Sequence, residues 1–497
     1  MALKAGIAAL AVLFAAYPAG AGSRITVVNG DPIGQGLNDP APVTPVGGNS
    51  GTTLGQQRLN AFQQAADIWA TILDSPVEIR VQAHFTALSC DTTSAILAQT
   101  GPTQLLSDFS PNAGFPGPEF AGTWYPVALA NRRSGRDLLA SVDDMTVNFN
   151  SNLGLPSCAF SWYYGLDNNH GGGVDLVTTL LHEFAHGFGF LTVVGQNTGE
   201  EFSGLNAQGH IVNGPDIYER QILDISTGKL WPEMTNAERL TSSTNTGKLV
   251  WMGAFVTATV PGVMHGTPTL TVSAPSSVAG DYLIGLAAFG PALTSGGITG
   301  TLVAALDPAD MVGPTTFDAC SPVTNASALA GRVALIDRGS CTFVVKTLNV
   351  QAAGATAAII ANNVDGSPPG LGGSDPTVTI PAVSITKADG ATLRAALGSG
   401  VTVSLYLDSR RLAGTDGASH LLLFAPNPYQ GGSSISHWDT SASPNLLLEP
   451  AISSDLTHGV DLTLAALRDI GWYPDIPARE PLSGVHRTRT THVTPRP

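Results

Sequence analysis

Between about Pro261 and Asp408 the chain becomes a run of Gly, Ala, Thr and Val with few charges, while the sequence on either side is of mixed composition. A chain that changes character and then changes back reads as one domain interrupted by another. Its 497 residues exceed what a single core usually organises, so two or three compact units are expected. Charged residues are only 12% of the chain against 56 Gly and 34 Pro, which favours many short strands and loops over a helical bundle. Inside the interruption, GRVALIDRGSCTF, KTLNVQAAGATAAIIANN, VTIPAVSIT and KADGATLRAAL read as strand, helix, strand and helix.

Before the interruption, Leu59, Phe62, Ala66, Trp69 and Leu73 recur at helical spacing. Val77, Ile79, Val81, Ala83 and Phe85 then alternate with polar neighbours, as a half-buried strand does, and Met145, Val147 and Phe149 repeat that period. A further helix begins near Val174, with Val177, Leu180, Leu181, Phe184 and Phe188 as its apolar stripe. Gly187 and Gly189 are expected to end it. Helix, strands and helix together predict an α+β domain.

His182 and His186 fall on the opposite face of that helix, in LHEFAHGFGFLT. Two histidines at i and i+4 bring their imidazoles within reach of one Zn²⁺, and Glu183 between them can reach a water on that ion. Such a set suits peptide hydrolysis, with the glutamate as proton carrier. The bland reading is two surface histidines flanking a solvated glutamate.

A catalytic zinc usually takes three protein ligands. In H-E-x-x-H-x-x-G-x-x-H the third histidine falls at residue 192, where this chain has Thr192. Downstream stand His210, His265, His420, His437, His458, His486 and His492. His437 stands out by its setting, GGSSISHWDT: Gly431 and Gly432 give a turn, Trp438 can wall a site and Asp439 can hydrogen-bond a ligand. Glu449, Glu200 and Glu201 are the rivals under a two-histidine, one-glutamate scheme. Tyr163, Tyr164 and Tyr429 are the candidate donors to an oxyanion.

HEFAHGFGF and SISHWD resemble the zinc-helix and displaced-ligand segments of the leishmanolysin-like metzincin peptidases, and NLLLEP with LTLAALRDIGWY is similar to the end of their catalytic domain. The resemblance implies zinc ligation by His182, His186 and His437, Glu183 as general base, and an exported zinc-dependent endopeptidase acting on protein or peptide substrates. The methionine that such enzymes place beneath the metal falls near Leu448 here. The interruption resembles a protease-associated (PA) domain, which implies a Cys320–Cys341 disulfide and a role in holding substrate or partner without catalytic residues. The expected architecture is therefore an α+β metzincin-like peptidase domain over 22–260 and 409–473 with an α/β PA domain inserted at 261–408. The alternative function is an inactive protease-like protein that binds partners through its PA domain.

Residues 1–21 read as an export signal, with Lys4, an apolar run from Ala5 to Ala16 and a small-residue cleavage site. No later segment offers about 18 uninterrupted apolar residues, so no membrane span is expected and the destination is secreted or periplasmic. Four cysteines allow three connectivities; pairing within each region, Cys90 with Cys158 and Cys320 with Cys341, is favoured. The net charge of -15 argues against nucleic acid as a partner. Residues 474–497, rich in Pro, Thr and Arg, are expected to be disordered.

Overall fold

A computed structural model describes residues 22–366 and 368–473. The expected export signal and disordered tail lie outside the described residues. The chain divides into two units, the first running to Thr259 and resuming over Leu421–Thr440 and from Asn445 on, the second comprising Val260–His420 with Ser441–Pro444.

The first unit is built on four strands, β1 (Ile25–Asn29), β2 (Ile79–Thr86), β3 (Ala98–Pro102) and β4 (Met145–Asn150), in the order β1-β2-β4-β3. β1, β2 and β4 run parallel and only β3, at the edge, is antiparallel. The sheet is thus mixed and mainly parallel, which corrects the α+β expectation to α/β. Periodicity shows that a strand is half buried but not which way its neighbour runs; direction follows from the long crossover between β1 and β2.

That crossover carries α1 (Leu54–Ile72), started by a capping box in which Thr53 and Gln56 satisfy each other's backbone. Phe62 and Trp69 point from α1 to the core. Phe62 meets Phe149 of β4 edge to face with ring centres 5.2 Å apart, and Trp69 meets Phe188 at 5.2 Å. Phe188 belongs to the second long helix of the unit, Leu176–Phe188, so this helix packs against α1 and the sheet together. Gly187 permits the approach: a Cβ there would stand 2.3 Å from Met145 Sδ. It therefore lies inside the helix as a packing residue, and Gly189 alone closes it.

The second unit holds an eight-stranded sheet whose centre is parallel: Ile298–Ala304, Val333–Asp337, Ala357–Ala361 and Ala382–Ile385 follow one another in register. Helices Phe343–Ala352 and Lys387–Ala396 supply crossovers. Leu335, Ile359 and Val383 fill one face while Ala334, Ile336 and Ile360 fill the other, the continuous apolar run of a sheet covered on both sides. Cys320 pairs with Cys341 here, and Cys90 with Cys158 in the first unit. No helix among the described residues is long and apolar enough to cross a membrane.

Candidate metal centre

The helix Leu176–Phe188, here α2, begins where the Asp175 carboxylate accepts the Thr178 N–H at 2.8 Å. It ends where Gly189 turns into the left-handed region at φ 117°. Phe190 N then reaches back to Ala185 O and Gly189 N to His186 O, satisfying the last carbonyls. The same reversal aims the Phe190 carbonyl at His186, whose Nδ1 lies 2.7 Å from it. Stopping the helix and orienting a histidine are one event.

His182 and His437 are held in the same way. His182 Nδ1 meets Leu447 O at 2.7 Å, and His437 Nδ1 meets Ser433 O at 2.7 Å. His437 is thus oriented by a carbonyl of its own turn, where Asp439 had been expected to serve. The Leu447 carbonyl is fixed in turn, because Leu447 N donates to Asp461 Oδ2.

A carbonyl at each Nδ1 requires the proton there, leaving each Nε2 as a bare lone pair. His182 Nε2 lies 3.1 Å from His186 Nε2 and 3.2 Å from His437 Nε2. Three acceptors converge with no proton to share, so the short contacts are not hydrogen bonds and call for a cation between them. Burial holds all three rings neutral, pushing His182 down to about 3, His186 down to about 4 and His437 well below its ordinary value, with the neighbouring imidazoles adding to the effect at His182 and His437. Neutral imidazole nitrogens suit Zn²⁺, the cofactor expected from the sequence. Among the described residues this is the group of histidines, cysteines and carboxylates close enough to hold a metal ion.

Glu183 is 7% exposed, and burial pushes its carboxyl up to about 7. With the three histidines it lines a cavity of about 700 Å³ whose wall includes Thr100 and Gly101 of the edge strand β3. Phe190, Trp251 and Trp438 pack behind the site, with Trp438 4.7 Å from Phe190 and 5.7 Å from Trp251 between ring centres.

The other candidates go elsewhere. Glu449 accepts the Leu446 N–H, Glu201 pairs with Arg239, and Glu200 is absent from the cavity wall. None of Tyr163, Tyr164 and Tyr429 lines the cavity; the Tyr163 hydroxyl donates to Asp167 at 2.6 Å. His420 pairs with Asp416 and His458 with Asp175, and His486 and His492 lie outside the described residues. Leu448 is fully buried and its carbonyl accepts the Trp438 N–H. Asp216, Tyr218 and Asp461, which support the ligand segments, carry no mark in the sequence, because the backbone groups and the Thr192 hydroxyl that they hold are brought near only by the fold.

The PA domain family matches residues 298–393. Among curated proteins the chain is similar to the probable leucine aminopeptidase 2 of Aspergillus fumigatus, 43% identical over 86 residues, or 16% of this chain and 17% of that protein. It is also similar to the probable lipoprotein aminopeptidase LpqL of Mycobacterium tuberculosis, 41% identical over 104 residues, 20% of this chain and 19% of that one. Each matched span is about the length of the PA match, and the chain covers about a fifth of either relative. Among solved structures it is similar to a zinc aminopeptidase from Bacillus subtilis, 31% identical with a TM-score of 0.21, covering 29% of this chain and 30% of that one.

The two curated relatives are named as probable aminopeptidases, and they correct the expectation of a leishmanolysin-like metzincin. The physical reason is that HEFAH and a distant histidine specify a zinc-ligand chemistry, and the same chemistry recurs on unrelated folds. Such motifs point to a site rather than to a family.

Proposed function

We propose that this chain is a zinc-dependent peptidase in which His182, His186 and His437 hold the metal and Glu183 moves the proton. The observation that carries the reading is the convergence of three proton-free Nε2 atoms in a cavity shared with a buried carboxylate. When bound, Zn²⁺ supplies a Lewis acid that makes water a nucleophile near neutral pH and polarises the scissile carbonyl. Glu183, buried in the cavity it shares with the three histidines, takes the attacking water's proton and delivers it to the departing amine. The buried histidines stay neutral and keep their lone pairs on the ligand side, while the carbonyls behind them prevent the rings from turning.

Cleavage within a chain is the finer reading that the cleft favours. β3 is the outermost strand and lines the cavity, so an extended segment can pair along it and pass the site in both directions. The names of the relatives favour a second reading, release of N-terminal residues. A peptide series with free and acetylated N-termini separates them: equal turnover supports internal cleavage, and turnover confined to free N-termini replaces it.

For the chemistry itself, Glu183→Gln retains zinc and loses hydrolysis of casein by about 10² to 10⁴-fold. Full turnover in that variant removes the proposed mechanism, and loss of activity without recovery after chelation and zinc return removes the metal. The two disulfides support an oxidising compartment outside the cytosol.

A further inference from the structure

His437 reaches the zinc helix from a distant part of the sequence, so something must hold its segment in register with the loop that leaves that helix. Thr192 occupies the position where a third histidine would follow HEFAH most directly. Its N–H donates to Ser436 Oγ at 3.2 Å, next to His437, and its hydroxyl donates to Asp216 Oδ2 at 2.8 Å. The same Asp216 oxygen accepts the Val193 N–H at 2.7 Å, while Oδ1 accepts the Glu219 N–H at 2.6 Å. Two residues on, the Tyr218 hydroxyl donates to Ile435 O at 2.7 Å. Asp216 is 3% exposed and Tyr218 fully buried.

One short segment, carrying no ligand, therefore grips both parts of the site. Asp216 fixes the loop 192–193, which continues from the Phe190 carbonyl that orients His186. Tyr218 fixes Ile435, two residues before His437. We propose that Asp216, through Thr192, and Tyr218, through Ile435, are positioning residues that seat His437 against the zinc helix and so set the affinity of the site for zinc. The inference rests on zinc binding at the triad and adds that this binding is controlled from outside the ligand set. Removing the bracket leaves three histidines present but free to drift apart, which weakens the metal without deleting a ligand. Hydrogen-bond partners behind metal ligands commonly change affinity by about 10 to 100-fold.

The test uses the full chain stripped of metal, with zinc affinity measured by competition against a chromophoric chelator, the visible absorption of the Co²⁺ form, and melting of the metal-free protein. Thr192→Val is expected to weaken zinc by about tenfold or more and to alter the Co²⁺ bands, Thr192→Ser to restore both, and Tyr218→Phe to weaken zinc in the same direction. Wild-type affinity and unchanged Co²⁺ bands in Thr192→Val and Tyr218→Phe overturn the proposal, even if their melting temperatures fall. So does a Thr192→Ser variant as weak as Thr192→Val. If Thr192→Val does not fold, Tyr218→Phe decides; if neither folds, the bracket is a folding element and the proposal fails. A wild-type chain that binds no zinc removes the functional reading itself, an outcome distinct from all of these.

Discussion

His182 and His437 stand 255 positions apart in the chain and hold their Nε2 atoms 3.2 Å apart. No single segment could supply this pair, and each ring arrives with its Nδ1 already satisfied by a carbonyl. Replacing His437 with Ala takes away one of three converging donors and leaves the helix intact. Zinc measured by atomic absorption after dialysis should fall from a full equivalent to a small fraction. A full equivalent in His437→Ala moves the third ligand to another residue.

Glu219 lies 0% exposed beside Asp216. Asp216 accepts hydrogen bonds from the Thr192 hydroxyl and the Val193 and Glu219 N–H groups, while Glu219's oxygens receive none, with Arg239 Nη1 3.7 Å away and already donating to the Trp231 and Met234 carbonyls. Glu219 is therefore the member that keeps its proton. Burial, followed by the charges of Asp216 and Glu201, pushes it up to about 9, while Arg239 pulls the other way. A carboxyl raised in the folded state binds more protons there than in the unfolded chain. Stability then falls as pH rises from about 4.5 toward 9, by at most about 1.4 kcal/mol per pH unit from this group. Glu219→Gln cannot ionise, so between about pH 5 and pH 8 its urea midpoint should drop less than that of the wild type. Equal drops would show that Glu219 is ionised in both states.

The Cys320–Cys341 bridge closes a loop with a sequence separation of 21. Replacing both cysteines with Ala should destabilise the second unit by about 3 kcal/mol, chiefly through the freedom returned to the unfolded chain. Denaturant unfolding of the oxidised protein against the double variant checks this, and a difference below about 1 kcal/mol would argue that the parallel sheet alone restrains the loop.

Gly187→Ala places a methyl where Met145 Sδ stands 2.3 Å from the Cβ position. The gain in helix propensity, about 1 kcal/mol, is outweighed by overpacking, which costs about 1 to 3 kcal/mol. A modest net loss in urea midpoint is expected. A gain would mean that Met145 swings aside freely.

Much of this was legible in the sequence because it rests on local periodicity. The stripe Val177, Leu180, Leu181, Phe184 and Phe188 marks the helix Leu176–Phe188 that carries His182 and His186, and the loss of charge after Pro261 falls beside Val260, where the second unit begins. His437 could be singled out because glycines, a tryptophan and a polar turn surround it. What depends on pairing across the chain was not legible: the parallel direction of β1, β2 and β4, the Ser433 carbonyl in place of Asp439, and the Asp216 and Tyr218 contacts. Gly187 was misread because a glycine late in a helix looks the same whether it ends the helix or lets a sheet approach. The family was misread because a ligand pattern records chemistry and not ancestry.

The distance between the first and third of the converging histidines also sets a clock. At a synthesis rate of about 5 to 20 residues per second, the 255 positions from His182 to His437 separate their appearance by roughly 10 to 50 s. Throughout that interval the chain carries at most two of the three converging imidazoles, and the stretch Val260–His420 of the second unit must be made before the last one exists. On the proposed ligand set, the growing chain therefore has no complete metal site until His437 has been made.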